Sequence, residues 1–384
     1  MKSLDKYRGC LIGGAAGDAL GYAVEFLDEA SIFKRYGKKG IMEYELVDGI
    51  AQISDDTQMT LFTANGLLLG TMQNITGEIM GTYPKYIACC YKDWLQTQYS
   101  SYPLKEKMFY SWLVNIPELF SRRAPGDTCL TAIEDGANGT IDKPINDSKG
   151  CGGVMRVAPI GLYFEGKTYT NEEIDRIGAE TAAITHGHEL GYIPAAALVH
   201  IIHLVSHNAD ITLLNAVLDA KEALFRQFAG KKHLNEQIKL IDKAIVLSKE
   251  NIDDLEAIGE LGEGWVAEET LAIAIYCSLK YSNDFDKALI ASVNHSGDSD
   301  STGAVTGNIL GAYLGLKGIP QKYLEHLELK NVIIELAEDL YKDCKMAEYA
   351  LHDKEIWKQK YIYKTYQPNY KKMMEDDICK RFSK

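Results

Sequence analysis

The 384-residue chain has eight cysteines and no Cys-x-x-Cys pair. That excludes a zinc ribbon or a thioredoxin-type site, and each cysteine reads as a buried thiol. No run of about 18 uninterrupted apolar residues occurs. The longest approach to one, 11–24, is broken by Asp18, so no membrane span is expected. The opening MKSLDKYRGC lacks the apolar core and processing site of a signal peptide, and a cytoplasmic location is expected. Strand-like alternation is confined to 41–53, and neither a fixed-period repeat nor a Pro/Ser-rich linker is present. Positive charge is in deficit: 41 Lys and Arg against 54 Asp and Glu give a formal charge of −13. Nucleic acid and anionic membrane surfaces are therefore poor partners. A phosphate-bearing ligand stays open, because backbone N–H groups at helix starts bind phosphate whatever the net charge.

What is present is mostly helical pattern. The apolar fraction is 46%, enough to offset the ordering of the chain. Segments 174–206, 213–228, 233–249, 267–281 and 332–344 carry helix-like apolar spacing. The tail from 352 to 384 is basic, aromatic and polar, and is expected to be a surface appendage with partial helix. Gly9, Gly13, Gly17 and Gly21 fall every fourth residue, as do Gly303, Gly307, Gly311 and Gly315. On helices each set forms one stripe. Mid-helix glycine costs up to about 1 kcal/mol against alanine, so two stripes imply two backbones packed closely; Gly-rich loops are the alternative. Close packing would bring Asp18 near the acids at 298–300.

Two acidic clusters are the sharpest chemical feature: Ser54-Asp55-Asp56-Thr57 and Asp298-Ser299-Asp300-Ser301-Thr302. Each precedes an apolar helical segment, so each reads as a helix start. Capping explains one such side chain, but not four carboxylates with several hydroxyls. Four carboxylates packed together would raise one another's pKa values unless a cation intervened. Hard oxygen donors suit Mg²⁺, Mn²⁺ or Ca²⁺ rather than zinc, and two ions roughly 3.5–4 Å apart would be consistent. The loop Ser148-Lys149-Gly150-Cys151-Gly152-Gly153 offers backbone donors for phosphate or is a structural turn; it is neither a P-loop nor a dinucleotide fingerprint. His186 and His188 in THGHE lack the second histidine of a metalloprotease helix. His200, His203 and His207 are expected at the core edge or the surface. Glu25 gains meaning only if the acidic clusters lie beside it.

Taken in order, RGCLIGGAAGDALGYAVEF (8–26), SDDTQM (54–59), RAPGDT (123–128), GCGGVMRVAPIGL (150–162), THGHELGY (185–192) and HSGDSDSTGAVTGNILGAYLG (295–315) resemble the ADP-ribosylglycohydrolase family. The serine of SDDT and the GDSDST wording are similar to its ADP-ribosylarginine hydrolase branch. The resemblance implies a single all-α domain over 1–345 with a dinuclear Mg²⁺ (or Mn²⁺) cleft, and leaves 346–384 as an extension of uncertain role. It implies that Ser54, Asp55, Asp56, Asp298, Asp300 and Ser301 serve two metal ions. Gly150, Cys151, Gly152 and Gly153, with Ser148, would hold the diphosphate of ADP-ribose. His186 would meet the distal part of the ligand and Trp265 the ribose side. Asp127 falls where cleft contacts are expected, and Glu25 matches a flap glutamate near the scissile ribose.

The implied activity is hydrolysis of ADP-ribose from arginine on a modified protein, by a monomer, with Glu25, Asp55, Asp56 and Asp300 as catalytic groups. Hydrolysis of serine-linked ADP-ribose or O-acetyl-ADP-ribose, non-catalytic ADP-ribose binding, and a phosphatase-like two-metal reaction are the alternatives.

Overall fold

The computed structural model describes residues 2–76, 81–105, 108–164, 168–342 and 354–368. Among them stand sixteen α-helices and no strand. The chain begins with α1 (Leu4–Gly21), α2 (Glu29–Tyr36), α3 (Asp55–Thr76) and α4 (Tyr83–Tyr99). Two short helices, α5 (Asp127–Glu134) and α6 (Ala158–Tyr163), flank the Gly150 loop. Then come α7 (Asn171–Ala183), α8 (Glu189–His207), α9 (Leu213–Gln227), α10 (Leu234–Leu247) and α11 (Asp254–Leu261). The last are α12 (Ala267–Lys280), α13 (Phe285–Val293), α14 (Ser299–Leu314), α15 (Lys330–Lys342) and α16 (Lys354–Tyr361).

The two glycine stripes meet. A Cβ on Gly13 would stand 2.2 Å from the Gly307 carbonyl oxygen, and one on Gly307 would stand 1.9 Å from that of Gly13. Gly17 faces Gly303 and Gly9 faces Gly311 in the same way, so α1 and α14 run antiparallel with backbones in contact. Gly315 caps the end of α14 at φ +76°, and a Cβ on Gly9 would stand 2.6 Å from the Gly315 carbonyl carbon. Both helices are buried on nearly every side, which is why neither has a polar face. α8 is also central: 19 residues, long and apolar enough to span a bilayer, yet 89% buried within the fold.

Four expectations need correction. The segment 174–206 is two helices, because Thr185–His188 form a turn held by Asn146. Its Nδ2 donates to the Thr185 carbonyl, and its Oδ1 accepts from the Gly187 N–H. A Cβ on Gly187 would stand 2.2 Å from the Asn146 carbonyl oxygen. The alternating segment 41–53 is not a strand. It folds on itself through Val47 and Ile50 about a tight turn at Asp48 and Gly49, and its pairing with other chain is a single bridge between Ala51 and Leu327. Alternation without a partner edge makes no sheet. The tail is no mere appendage over its described part: Trp357, Lys360 and Tyr361 are buried. The Lys360 ammonium pairs with Asp339 at 2.6 Å and Glu335 at 2.8 Å, and Asn115 donates to the carbonyls of Lys364 and Tyr366. The rest of the tail, 352–353 and 369–384, and the start of the extension at 346–351 lie outside the described residues.

His200, expected at the core edge, is fully buried in α8 and bridges two helices. Its ring nitrogens contact Asp175 of α7 at 2.8 Å and Asp219 of α9 at 3.0 Å. Burial pushes its pKa down, but the hydrogen bonds and charges of Asp175 and Asp219 outweigh this and leave it raised. A raised imidazole stabilises the fold fully below its unfolded value near 6.5, and that stabilisation is lost as pH rises through the folded value. The urea midpoint of the wild type should therefore fall more between pH 6 and pH 8 than that of His200→Gln. Equal slopes would show that the bridge is uncharged.

Candidate functional site

α1 positions the first acidic cluster through a residue that carries no charge partner. Asp18 is fully buried and accepts from the N–H groups of Ser54 (2.9 Å) and Thr57 (3.0 Å) and from the Thr57 hydroxyl. It thus caps α3 from a neighbouring helix. From the sequence the glycine stripes bring Asp18 near the acids at 298–300, but nothing there marks it as a cap for α3. Ser54 is fully buried as well and accepts from the Asp56 N–H at 3.2 Å. Asp55 Oδ2 accepts from Gly126 at 3.3 Å. Across the seam, Asp298 caps α14 by accepting from the Ser301 N–H at 3.1 Å, and Asp300 Oδ1 accepts from the same N–H at 2.9 Å.

These two helix starts, more than 240 positions apart in sequence, line one cleft of about 620 Å³ with Glu25, Asp127, Gly150, Cys151, Gly152, His186 and Trp265. No Lys or Arg is among its described lining residues. Three of the residues singled out in the sequence are not among the cleft's described lining residues. Ser54 is interior; Ser148 accepts from the Gly150 N–H at 3.4 Å and lies beside the Thr128 hydroxyl. Gly153 packs against the Gly191 carbonyl and Ala182. Thr128, Cys129 and Met155, to which the sequence assigns no role, line the cleft.

The electrostatics follow from burial. Asp55, Asp56 and Asp298 are pushed well above the usual carboxylate range, by burial first and then by Asp300. Burial also raises Asp300. Asp18 is pushed up to about 7 by burial and Asp300, despite bonds from Thr57 and Ser54. Glu25 is pushed up to about 10 by burial, then by Asp300, Asp298, Asp55 and Asp18. The Ser54 hydroxyl lies 3.4 Å from Asp56 Oδ2. Among the described residues no group of three or more His, Cys, Asp or Glu side chains is arranged so that it could hold a metal ion as it stands. The donor set nevertheless fits a hard divalent cation: carboxylates and hydroxyls without a cationic side chain, and a buried Asp56 Oδ1 that bonds nothing in the protein.

A buried polar cluster borders the same cleft. His186 is buried, with Nδ1 at 2.8 Å from the Thr185 hydroxyl. Arg156, buried completely, donates to that hydroxyl at 2.6 Å and lies over the Tyr91 ring. Burial and the Arg156 charge push His186 down to about 3, so the ring is neutral. A Cβ on Gly152 would stand 2.7 Å from Cys129 Sγ and 2.9 Å from His186 Cε1, which is why glycine occupies that turn. On the rim, the exposed rings of Phe26 and Trp265 stack with centroids 6.4 Å apart and planes 23° from parallel.

The structure defines a class of all-helical domains with a cleft rich in carboxylates beside a glycine turn. The comparisons narrow it. The family model for ADP-ribosylglycohydrolase matches residues 1–350, and the chain belongs to that family of hydrolases acting on ADP-ribose linkages. "ADP-ribosylhydrolase ARH3" of Mus musculus is 29% identical over 51% of this chain and 57% of its own length. "ADP-ribosylarginine hydrolase Tri1" of Pseudomonas putida is 23% identical over 88% of this chain and 79% of its own. A solved structure titled "ADP-ribosylglycohydrolase-related protein complex" superposes with TM-score 0.61 at 23% identity. It covers 88% of this chain and 98% of its own, and it shares the fold.

Proposed function

We propose that this chain releases ADP-ribose from ADP-ribosylated arginine on proteins, with divalent cations, Mg²⁺ first and Mn²⁺ as a substitute. The observation that carries the reading is the convergence of the α3 and α14 acidic starts in one cleft that has no cationic side chain on its described walls. Asp55 and Asp56 on one side and Asp298, Asp300 and Ser301 on the other would hold the ions, with Ser54 supporting from behind. Such ions supply Lewis acidity for ribose hydroxyls and a water acidic enough to attack at neutral pH.

The chain's own groups do the rest. The Gly150–Gly152 turn and His186 receive the sugar-phosphate, and Trp265 bounds the ribose side. Glu25 has a free, buried Oε2. Its elevation comes partly from neighbouring carboxylates, so neutralising those charges returns it toward the carboxylate range. It can then accept the proton of the attacking water. Arginine is favoured by chemistry: a guanidine leaves as a cation, and this cleft is lined by acids. The name of the Pseudomonas putida relative and the serine in Ser54-Asp55-Asp56-Thr57 support the same linkage. Serine-linked ADP-ribose and O-acetyl-ADP-ribose are the second reading, since a relative whose name gives no linkage matches at the higher identity.

Mass spectrometry of products from arginine- and serine-linked ADP-ribosyl peptides tests this. Intact ADP-ribose and free arginine peptide are expected. EDTA should stop release, and added Mg²⁺ or Mn²⁺ should restore it. Faster serine release would overturn the linkage; AMP or phosphate would overturn the bond; binding without turnover would make the chain a binding protein.

A further inference from the structure

We infer that Thr185, held by the buried Arg156, is a positioning residue that fixes the tautomer of His186, so that the ring carries its proton on Nε2 and donates it to an oxygen of the ligand in the cleft. A guanidinium has donors only. Arg156 Nη2 donates to Thr185 Oγ1 at 2.6 Å and to the Thr181 carbonyl at 3.3 Å, and Nη1 lies 3.3 Å from Cys129 Sγ. The Thr185 oxygen therefore accepts from Arg156, and its single proton goes to the best acceptor in reach. That is His186 Nδ1 at 2.8 Å. The competitor is the Cys129 sulfur, a weak acceptor that already faces Arg156 Nη1. With Nδ1 accepting, a neutral imidazole places its hydrogen on Nε2.

Nε2 faces the cleft. A Cβ on Gly150 or Gly152 would stand 3.3 Å from it, and among the described residues it has no protein partner. The ring thus aims a donor across the glycine turn, where an acceptor oxygen of a sugar or phosphate fits. The ligand half of the inference rests on the ADP-ribose reading; the tautomer half does not.

The test is ¹⁵N-histidine labelling of the whole chain, with long-range ¹H–¹⁵N correlation to read the tautomer and His186→Gln to assign the signals, alongside ADP-ribose titration by calorimetry. The wild type should show the Nε2–H form. Thr185→Val should shift the ring toward Nδ1–H or a mixture and weaken ADP-ribose binding about tenfold, as loss of one well-placed hydrogen bond does. Thr185→Ser, which keeps the hydroxyl, should restore both. Nδ1–H in the wild type overturns the inference by itself, whether or not the valine variant folds. So does a folded valine variant with unchanged tautomer and affinity. A wild type with Nε2–H that binds no ADP-ribose overturns the ligand assignment and the proposed function, while the tautomer relay stands.

Discussion

Asp300→Ala should lose hydrolysis of ADP-ribosyl-arginine by at least about 100-fold, the scale of removing a charge-stabilising group from a reaction centre, and should fold as well as the wild type or better. Asp300 is the group whose charge raises Asp55, Asp56, Asp298, Asp18 and Glu25. Removing it relieves repulsion among buried acids, so the thermal midpoint measured with EDTA should hold or rise. The effect of cation reverses the order. Saturating Mg²⁺ stabilises a protein that binds it only when folded, by about 2.7 kcal/mol at a hundred times the dissociation constant. Scanning calorimetry should therefore show a Mg²⁺-dependent rise in the wild type that is lost or much reduced in Asp300→Ala. Wild-type turnover by the variant, or an undiminished response to Mg²⁺, would remove the site from α14. Asp55→Ala should behave alike from the α3 side.

Gly307→Val should destabilise the fold by about 3 kcal/mol or more, at the upper end of overpacking. Its Cβ meets the Gly13 carbonyl oxygen at 1.9 Å, and the obstacle is backbone that no rotamer change can move aside. Separating the two helices would also shift Asp18 on α1 relative to Asp300 on α14, so activity should fall even in the fraction that folds. Gly259→Ala is the matched control. It lies within α11 with nothing within 4 Å of the added methyl, and ordinary helix propensity predicts a gain of about 0.5–1 kcal/mol. Urea unfolding of the two variants should give opposite signs. A tolerated valine at 307 would mean that the stripes are not in contact.

Much was legible in the sequence because it is periodic or local. Glycine every fourth residue has one economical meaning on a helix, and two such stripes announced that two backbones touch. Acids and hydroxyls just before apolar runs marked two helix starts, whatever the fold around them. The order of the motifs carried the family, and with it the all-helical class. Local pattern also misled: the alternation at 41–53 has strand spacing, but a strand exists only if another chain edge lies beside it.

The tertiary structure alone decided which distant groups share space. Asp18 is read from sequence as an aspartate in an apolar run; only the position of α3 over α1 makes it the acceptor for Ser54 and Thr57. Gly153 belongs to the right loop, yet the path of the turn packs it against the Gly191 carbonyl and Ala182. His200 bridges Asp175 and Asp219 across three helices, and Lys360 closes on Asp339 from the far end of the chain. Spacing along one helix is set by its own backbone geometry, so sequence carries it. Contacts between helices depend on how whole faces pack, and a buried charge finds its partner only after that packing is complete.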